Sequence, residues 1–403
     1  MKLIHTADWH IGQTFYGYDR TEEHLFFFSQ LRNIIREEHP DLLVISGDIY
    51  DTATPSASAM RLFNEQLALI KSEHNDLQII LVAGNHDSPS RLEASSPLLQ
   101  LIQTDVIGYV KKKEGEIDLD SLLIPIRKKN EVIGWCIALP FLRRGDVNKE
   151  DDECESEALQ RLFGQLMNRL NAMRKPHQPI VMTGHLTLSG SQLSEEEQKH
   201  YMTGGLESIS SQIYPAEVAY VALGHIHKAQ RVAGPTTIRY AGSPFSLSFA
   251  ERNYRHSVAV VAMENGELGE VRLRPLQSLY PLHLIPHEPM LLEEVIRQLD
   301  EIPDDRKGYL QVNVLLTELI PDLKNRIVER LQNKQIRLAT ISASFAEKAS
   351  EETLTVHHVA ELRRIDPVEL AKDVYQKKYH GNEMPEDLIV LFKRALSDIQ
   401  TNE

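Results

Sequence analysis

Five short apolar runs in this chain end in the same way, and that repetition limits the folds open to it. Leu3-Ile4-His5-Thr6-Ala7 leads into Asp8-Trp9-His10. Four further runs close on Gly followed by metal-ligand residue types: Ser46-Gly47-Asp48, Ala83-Gly84-Asn85-His86-Asp87, Thr183-Gly184-His185 and Leu223-Gly224-His225-Ile226-His227. Continuous apolar runs read as buried parallel strands, and open α/β sheets bind ligands beyond the carboxyl ends of their strands. The expectation is an α/β protein whose strand ends aim Asp, Asn and His at one place.

Composition bounds this reading. At 403 residues and 42% hydrophobic, the chain can bury a large core and carry smaller additions. A formal charge of -14 argues against a freestanding basic nucleic-acid binder, while ions and local Lys or Arg remain able to meet phosphate. Cys136 and Cys154 form no metal-binding spacing, and two free thiols fit a reducing compartment. No apolar stretch approaches the ~20 residues that span a bilayer. Met1-Lys2-Leu3 runs straight into a strand, so a cytoplasmic protein with no membrane partner is expected.

Strand and helix alternate through the first half. Leu25, Phe28, Leu31, Ile34 and Ile35 fall at helical spacing within 22–38, and Thr54-Pro55 reads as the start of a helix carrying Met60, Leu62, Phe63, Leu67 and Ile70. Residues 109–120 and 189–205 read as exposed loops. Beyond Pro281 the pattern becomes a β-α-β-α-β unit, and after Ser350 Asp366-Pro367-Val368-Glu369 and Met384-Pro385-Glu386-Asp387 open helices. In the second of these, Leu388, Leu391, Phe392, Ala395, Leu396 and Ile399 share one face. The expected division is a main domain at 1–278, a small α+β domain at 279–349 and a helical tail at 350–403.

The chemistry follows from ligand type and placement. Asp8 and His10 are two apart, so in extended chain their side chains leave on one side and can grip one ion, and His225 and His227 share this spacing. Asp8, His10, Asp48, Asn85, His185, His225 and His227 supply no thiolate and suit Mn, Fe or Zn better than Mg or Ca. They exceed the needs of one ion, which points to two ions sharing a carboxylate, with Asp48 best placed as the bridge. Two carboxylates against two divalent cations leave a site with about two positive charges, suited to a phosphodiester and a hydroxide nucleophile. Asp51 and Asp87 are candidate hydrogen-bond partners, and Arg91, just past His86, is a candidate phosphate contact. Lys111-Lys112-Lys113, Lys128-Lys129 and Arg143-Arg144 read as solvated charge, and His5 and His24 as structural.

Asp8-x-His10, Gly47-Asp48-x-x-Asp51, Gly84-Asn85-His86-Asp87, Gly184-His185 and Gly224-His225-x-His227 resemble, in order, the five motifs of the calcineurin-like metallophosphoesterases. Residues 5–12, 47–52 and Tyr240-Ala241-Gly242-Ser243-Pro244 are similar to the SbcD family of nuclease subunits, over nearly all of 1–250 and in layout beyond. The resemblance implies a four-layer sandwich of two mixed β-sheets flanked by helices, a small capping domain and a helical tail. It implies two Mn²⁺ ions, one held by Asp8, His10, Asp48 and His227 and the other by Asp48, Asn85, His185 and His225. His86 would stabilise the transition state or assist the leaving oxygen, with Asp87 orienting it.

It further implies DNA cleavage in end processing, repair and recombination, as a double-strand 3′–5′ exonuclease and a single-strand or hairpin endonuclease. The protein would form a homodimer within a heterotetramer, its tail docked on the coiled-coil base of an SbcC-type ATPase. Two other classes stand beside this one: a metallophosphoesterase acting on a non-DNA phosphoester, and a scaffold with an inactive site. Protein phosphatases of the superfamily show Asn-His-Glu where this chain has Asn85-His86-Asp87, and purple acid phosphatases need a tyrosine where Asp51 stands. The presence of every expected ligand weighs against the scaffold.

Overall fold

The computed structural model describes residues 1–129, 131–193, 208–318 and 320–345, together with 368, 372, 375–376 and 384–392. The chain opens with β1 (Lys2–Thr6), a hairpin of β2 (Thr14–Phe15) and β3 (Tyr18–Asp19), α1 (Thr21–Glu38), β4 (Leu42–Ser46), α2 (Ala57–Glu73) and β5 (Gln78–Val82). Next come α3 (Pro89–Glu93), α4 (Ser96–Gln100), β6 (Thr104–Ile107), a hairpin of β7 (Lys112–Lys113) and β8 (Glu116–Ile117), β9 (Leu123–Lys128), β10 (Glu131–Ala138) and α5 (Glu155–Asn171). Then follow β11 (Ile180–His185), β12 (Tyr220–Gly224), β13 (Gln230–Val232), β14 (Ile238–Tyr240), β15 (Ser257–Glu264) and β16 (Glu267–Pro275).

Side chains alternate across a strand, and in the central strands both faces are apolar, so each strand feeds two cores. Leu3, Leu42, Val44, Ile80 and Val82 join one cluster with Ile137, Val181, Met182 and Val221, which packs two sheets face to face. Ile4, Leu43, Ile45, Ile79 and Leu81 join the other, with Phe27, Phe28 and Leu31 of α1 and Leu62, Phe63 and Leu67 of α2. The apolar stripe of α5, Leu159 to Leu170, packs with the second sheet. The strand orders are β16-β15-β1-β4-β5-β6 and β13-β14-β12-β11-β10-β9. β1, β4, β5 and β6 run parallel, as do β10, β11, β12 and β14, while the pairings β1–β15, β15–β16, β9–β10 and β13–β14 are antiparallel. The parallel cores put the carboxyl ends of β1, β4, β5, β11 and β12 at one edge of the sandwich, and the four-layer mixed architecture agrees with the expected fold.

Some local expectations shift. The α2 helix starts at Ala57 rather than at Pro55, because the Ser56 hydroxyl accepts the Ala59 N–H at 3.1 Å and so provides the cap. The loop at 109–120 contains the β7–β8 hairpin. Residues 194–205 of the second expected loop lie outside the described residues.

After β16 the chain forms β17 (Leu282–Leu291), α6 (Leu292–Asp300), β18 (Tyr309–Leu316), α7 (Leu323–Leu331) and β19 (Arg337–Phe345), a parallel sheet in the order β17-β18-β19. Leu292, Val295 and Leu299 of α6 and Ile327 and Leu331 of α7 cover Leu310, Val312 and Val314 as a separate core. β17 runs past the expected end at Ile285 because its pairing with β18 resumes at Met290 after a register shift. Residues Met1–Phe345 form one unit and Ala346–Glu403 a second. In the second, residues 386–392 are helical, with Leu388 and Leu391 exposed. The expected start at Asp366-Pro367 and the positions Ala395, Leu396 and Ile399 lie outside the described residues. No described helix is long and apolar enough to cross a membrane, and Cys136 and Cys154 are free.

A cluster of charges fastens α1 to the edge of the first sheet. Glu38 takes Arg274 Nη1 at 2.6 Å and Arg272 Nη2 at 2.9 Å, with Lys2 Nζ at 3.5 Å. Burial beneath these side chains works to raise the Glu38 carboxyl, but the Arg274 and Arg272 hydrogen bonds outweigh it and hold it below the ordinary value. Because the arginines face water, Glu38→Gln should cost about 1–2 kcal/mol at neutral pH. The ionic contribution is complete above the ordinary value of 4.5 and fades as the pH falls through the lower folded value. Urea unfolding of variant and parent should therefore show a gap that narrows in acid, and a gap independent of pH would refute the ionic account.

Candidate metal centre

The strand ends bend sharply to reach the site. Asp8, His10, Asp48 and His225 all have positive φ, at 55°, 46°, 51° and 96°, a region that residues with a side chain avoid unless the surroundings impose it. The surroundings here are the neighbouring loops. Asp8 N–H donates to the Gly47 carbonyl at 3.0 Å, His10 N–H to the Asp48 carbonyl at 3.1 Å, and Ile11 N–H to the Ile49 carbonyl at 2.9 Å. His225 N–H donates to Asp8 Oδ1 at 2.8 Å, which ties the second sheet to the first. A Cβ on Gly224 would fall on the Ser46 carbonyl, and one on Gly84 would fall on Asp48, so both positions need glycine for close approach.

Asp48 lies between two sets of histidines. Its Oδ1 accepts the His86 N–H at 2.9 Å. Its Oδ2 lies 3.3 Å from His185 Nε2 and 3.6 Å from His10 Nε2. On one side, Asn85 Oδ1 is 3.0 Å from His185 Nε2 and 2.9 Å from His225 Nδ1. On the other, the His10 ring packs 5.2 Å from the ring of His227 and 4.8 Å from that of His86. Ligand-capable atoms of His10, Asp48 and His86 lie within 4.8 Å of one another, as do those of Asp48, His185 and His225.

Hydrogen-bond chemistry indicates what this convergence can hold. His185 Nδ1 donates to the Ser46 carbonyl at 2.8 Å, so in the neutral ring Nε2 carries a lone pair that faces oxygens of Asn85 and Asp48. His10 Nδ1 donates to Asp51 Oδ1 at 3.3 Å, and His227 Nδ1 donates to Glu251 Oε1 at 2.8 Å. His10 Nε2 and Asp8 Oδ2 are buried without a hydrogen-bond partner. Such lone pairs are costly to bury unless a proton or a cation lies among them. The donor set fits divalent cations on these grounds: orphaned buried atoms, nitrogen and oxygen donors only, and a carboxylate oxygen shared by both groups.

The charges of these groups reflect the same crowding. Burial pushes the Asp8 carboxyl up to about 6, against the pull of His185 and His227. Burial acts the same way on Asp48, but His185, His10 and His86 outweigh it and hold that carboxyl well below the ordinary range. Burial disfavours charge on His185, yet Asp48 and Asp8 overcome it and push the ring up to about 9. His225 falls to about 3 through burial and the neighbouring charge of His185. A proton on His185 therefore occupies the lone pair that a cation would use, and the two compete.

The remaining residues occupy distinct places. His86 is exposed, and its Nδ1 donates to the Asp51 carbonyl at 2.7 Å. Asp87 does not take the orienting role expected for it beside His86. It is buried and accepts N–H groups from Gly84 at 2.8 Å, Tyr50 at 3.0 Å and Ile49 at 3.1 Å, binding the β5 loop to the β4 loop. Burial and the Asp48 charge push it up to about 6. Arg91 is exposed on α3. Most of the basic runs are locally paired: Lys111 with Glu93, Lys113 with Asp118, Lys128 with Asp41 and Arg144 with Glu155. Arg143 instead stacks 5.5 Å from the Phe141 ring, which flanks His185 and His225. His5 bonds Tyr220, and His24 lies between the Arg20 and Trp9 carbonyls, both structural positions. Glu251, which sequence reasoning missed, follows Gly242-Ser243-Pro244 in a loop with no regular spacing to announce it.

A family model of calcineurin-like phosphoesterases matches residues 1–229. A second, described as the Type 5 capsule protein repressor C-terminal domain, matches residues 278–379. The SbcD component of nuclease SbcCD from Rhodobacter capsulatus is 31% identical, the match covering 87% of this chain and 89% of that protein. Its counterparts from Bacillus subtilis and Escherichia coli K12 are 28% and 26% identical, over 100% and 94% of this chain and 100% and 96% of theirs. The chain belongs to the calcineurin-like phosphoesterases and, among them, to the SbcD family of SbcCD nucleases.

Proposed function

We propose that this protein is the Mn²⁺-dependent DNA nuclease component of an SbcCD-type complex driven by a coiled-coil ATPase. Asp8, His10, Asp48 and His227 would hold one ion and Asp48, Asn85, His185 and His225 the other. The observation that carries this reading is the buried Oδ2 of Asp48, facing His185 Nε2 on one side and His10 Nε2 on the other. Divalent cations there would supply Lewis acidity toward a phosphodiester and lower the pKa of a water nucleophile. His86 contributes a different element. With Nδ1 committed to the Asp51 carbonyl, its exposed ring can hydrogen-bond a nonbridging or leaving oxygen through Nε2. Asp87 holds the Gly84 turn against the β4 loop, and so acts on the reaction by position.

The substrate proposed is DNA, cut from duplex ends in the 3′–5′ direction and internally in single strands or hairpins. Arg91 and Arg143 are the candidate phosphate contacts. The division of labour follows the division of the chain: chemistry in 1–278, a capping lobe at 279–349 and ATPase docking through 350–403. Leu98 of α4 and Leu101 just after it, 70% and 81% exposed, offer apolar surface to a second copy in a homodimer.

Asp48→Ala should lose both ions, because two cations a few ångströms apart repel strongly without a shared carboxylate. Elemental analysis of the purified variant reads this directly, and two retained ions would end the bridging assignment. His86→Ala should keep both ions and lose turnover; an active variant would deny His86 its role. With Mn²⁺, the parent should cleave duplex DNA and bis-p-nitrophenyl phosphate but not a phosphopeptide, and turnover of the phosphopeptide alone would favour a different phosphoesterase. Truncation after Phe345, where the first unit ends, should leave a folded Mn²⁺-dependent nuclease that no longer co-purifies with its ATPase. Retained ATPase binding, or an unfolded chain, would count against docking through the tail.

A further inference from the structure

Glu251 is 2% exposed in a short turn, Phe249–Glu251, and its side chain is used on both oxygens. Oε1 accepts from His227 Nδ1 at 2.8 Å, and Oε2 accepts the Leu247 N–H at 2.8 Å. The loop that carries it is held from behind. Arg20, also 2% exposed, donates to the Ser246 carbonyl at 2.9 Å, and its guanidinium lies 4.4 Å from the centre of the Phe245 ring. The Ser246 hydroxyl closes the turn on the Glu251 carbonyl at 3.2 Å. Arg20 is itself fixed by a two-pronged pair with Glu23, at 2.9 and 2.6 Å, and Glu23 accepts the Tyr309 hydroxyl of β18 at 2.8 Å. A buried carboxylate with both oxygens committed and an anchored backbone has little freedom to follow a moving histidine.

We infer that Glu251 is the positioning residue for His227, fixing the ring orientation and keeping the proton on Nδ1 so that Nε2 presents its lone pair to a metal ion. This rests on the reading of His227 as a ligand. Carboxylate partners of this kind raise the basicity of the ligating nitrogen and remove the entropy of ring rotation, and their loss weakens metal binding by roughly 10- to 100-fold. In this chain the effect should fall on one ion only, because His185 is fixed independently by the Ser46 carbonyl and His225 Nδ1 faces Asn85.

The test is a Mn²⁺ titration of the full-length purified chain, followed by the electron paramagnetic resonance signal of free Mn²⁺, with no nuclease assay involved. Glu251→Ala should weaken one of the two sites roughly 10- to 100-fold and leave the other at the parent's affinity. Glu251→Gln keeps the shape but has a single acceptor oxygen for two N–H donors, so it should fall between Ala and the parent while the metal-free chain unfolds at the parent's temperature. If Glu251→Ala does not fold, the Gln variant decides by the same titration, and parent-like affinity at both sites overturns the inference. His227→Ala separates the two levels. If it loses one ion while the Glu251 variants keep both, the positioning role is wrong and the ligand stands. If it too keeps both ions, the ligand reading falls and the inference with it.

Discussion

A carboxylate shared between two histidine groups sets the terms for the rest of this molecule. Asp48 is buried, and its Oδ2 faces imidazole nitrogens that come from both sheets. Such a collection is poorly solvated, and its charges act on one another: burial pushes Asp8 up, the histidines hold Asp48 down, and Asp48 and Asp8 push His185 up. The fold must hold this arrangement together by other means. It does so with two large apolar cores that lie away from the polar edge and a mesh of backbone hydrogen bonds between loops.

That mesh explains why the strand ends look as they do. Facing sheets would ordinarily keep their strand ends about 10 Å apart, farther than two ligands of one ion can reach. Gly224 beside the Ser46 carbonyl and Gly84 beside Asp48 let the loops close that gap. Left-handed turns at Asp8, His10, Asp48 and His225 then direct the side chains inward. The strain of these conformations is distributed over bonds that also define the site, such as His225 N–H to Asp8 and His86 N–H to Asp48, so backbone and ligand set hold each other.

These relations differ in how far they could be read from residues alone. Buried parallel strands leave continuous apolar runs, and ligand types at their ends are visible without any knowledge of pairing, so the α/β class and the seven candidate ligands were legible together, while the two-sheet sandwich entered only through the family resemblance. What lay beyond reach depends on contacts made across the chain. Asp87 looked like a partner for its neighbour His86, but its carboxylate finds three backbone N–H groups, two of them from the β4 loop. Glu251 lies 24 residues from His227 in an irregular loop, where no periodicity connects them. The helix start moved from Thr54 to Ser56 because either hydroxyl could cap and only the folded turn decides which one reaches the Ala59 N–H.

The imidazoles reveal a further level of organisation. His185, His10, His227 and His86 each commit Nδ1 to an acceptor that cannot donate: the Ser46 carbonyl, the Asp51 carboxylate, the Glu251 carboxylate and the Asp51 carbonyl. In the neutral ring each acceptor therefore selects the tautomer that keeps its proton on Nδ1 and a lone pair on Nε2. Two of them belong to Asp51, which joins the His10 side of the site to His86 through a single residue. The other two come from the strand β4 and from a loop anchored on Arg20. Because Arg20 pairs with Glu23, and Glu23 with Tyr309, the same set of bonds continues into the three-stranded sheet without leaving the protein interior. The lobe after Pro281 is thus fastened to the chain at the residues that also brace the metal-site loop, and its attachment and the shape of the site are parts of one structural problem.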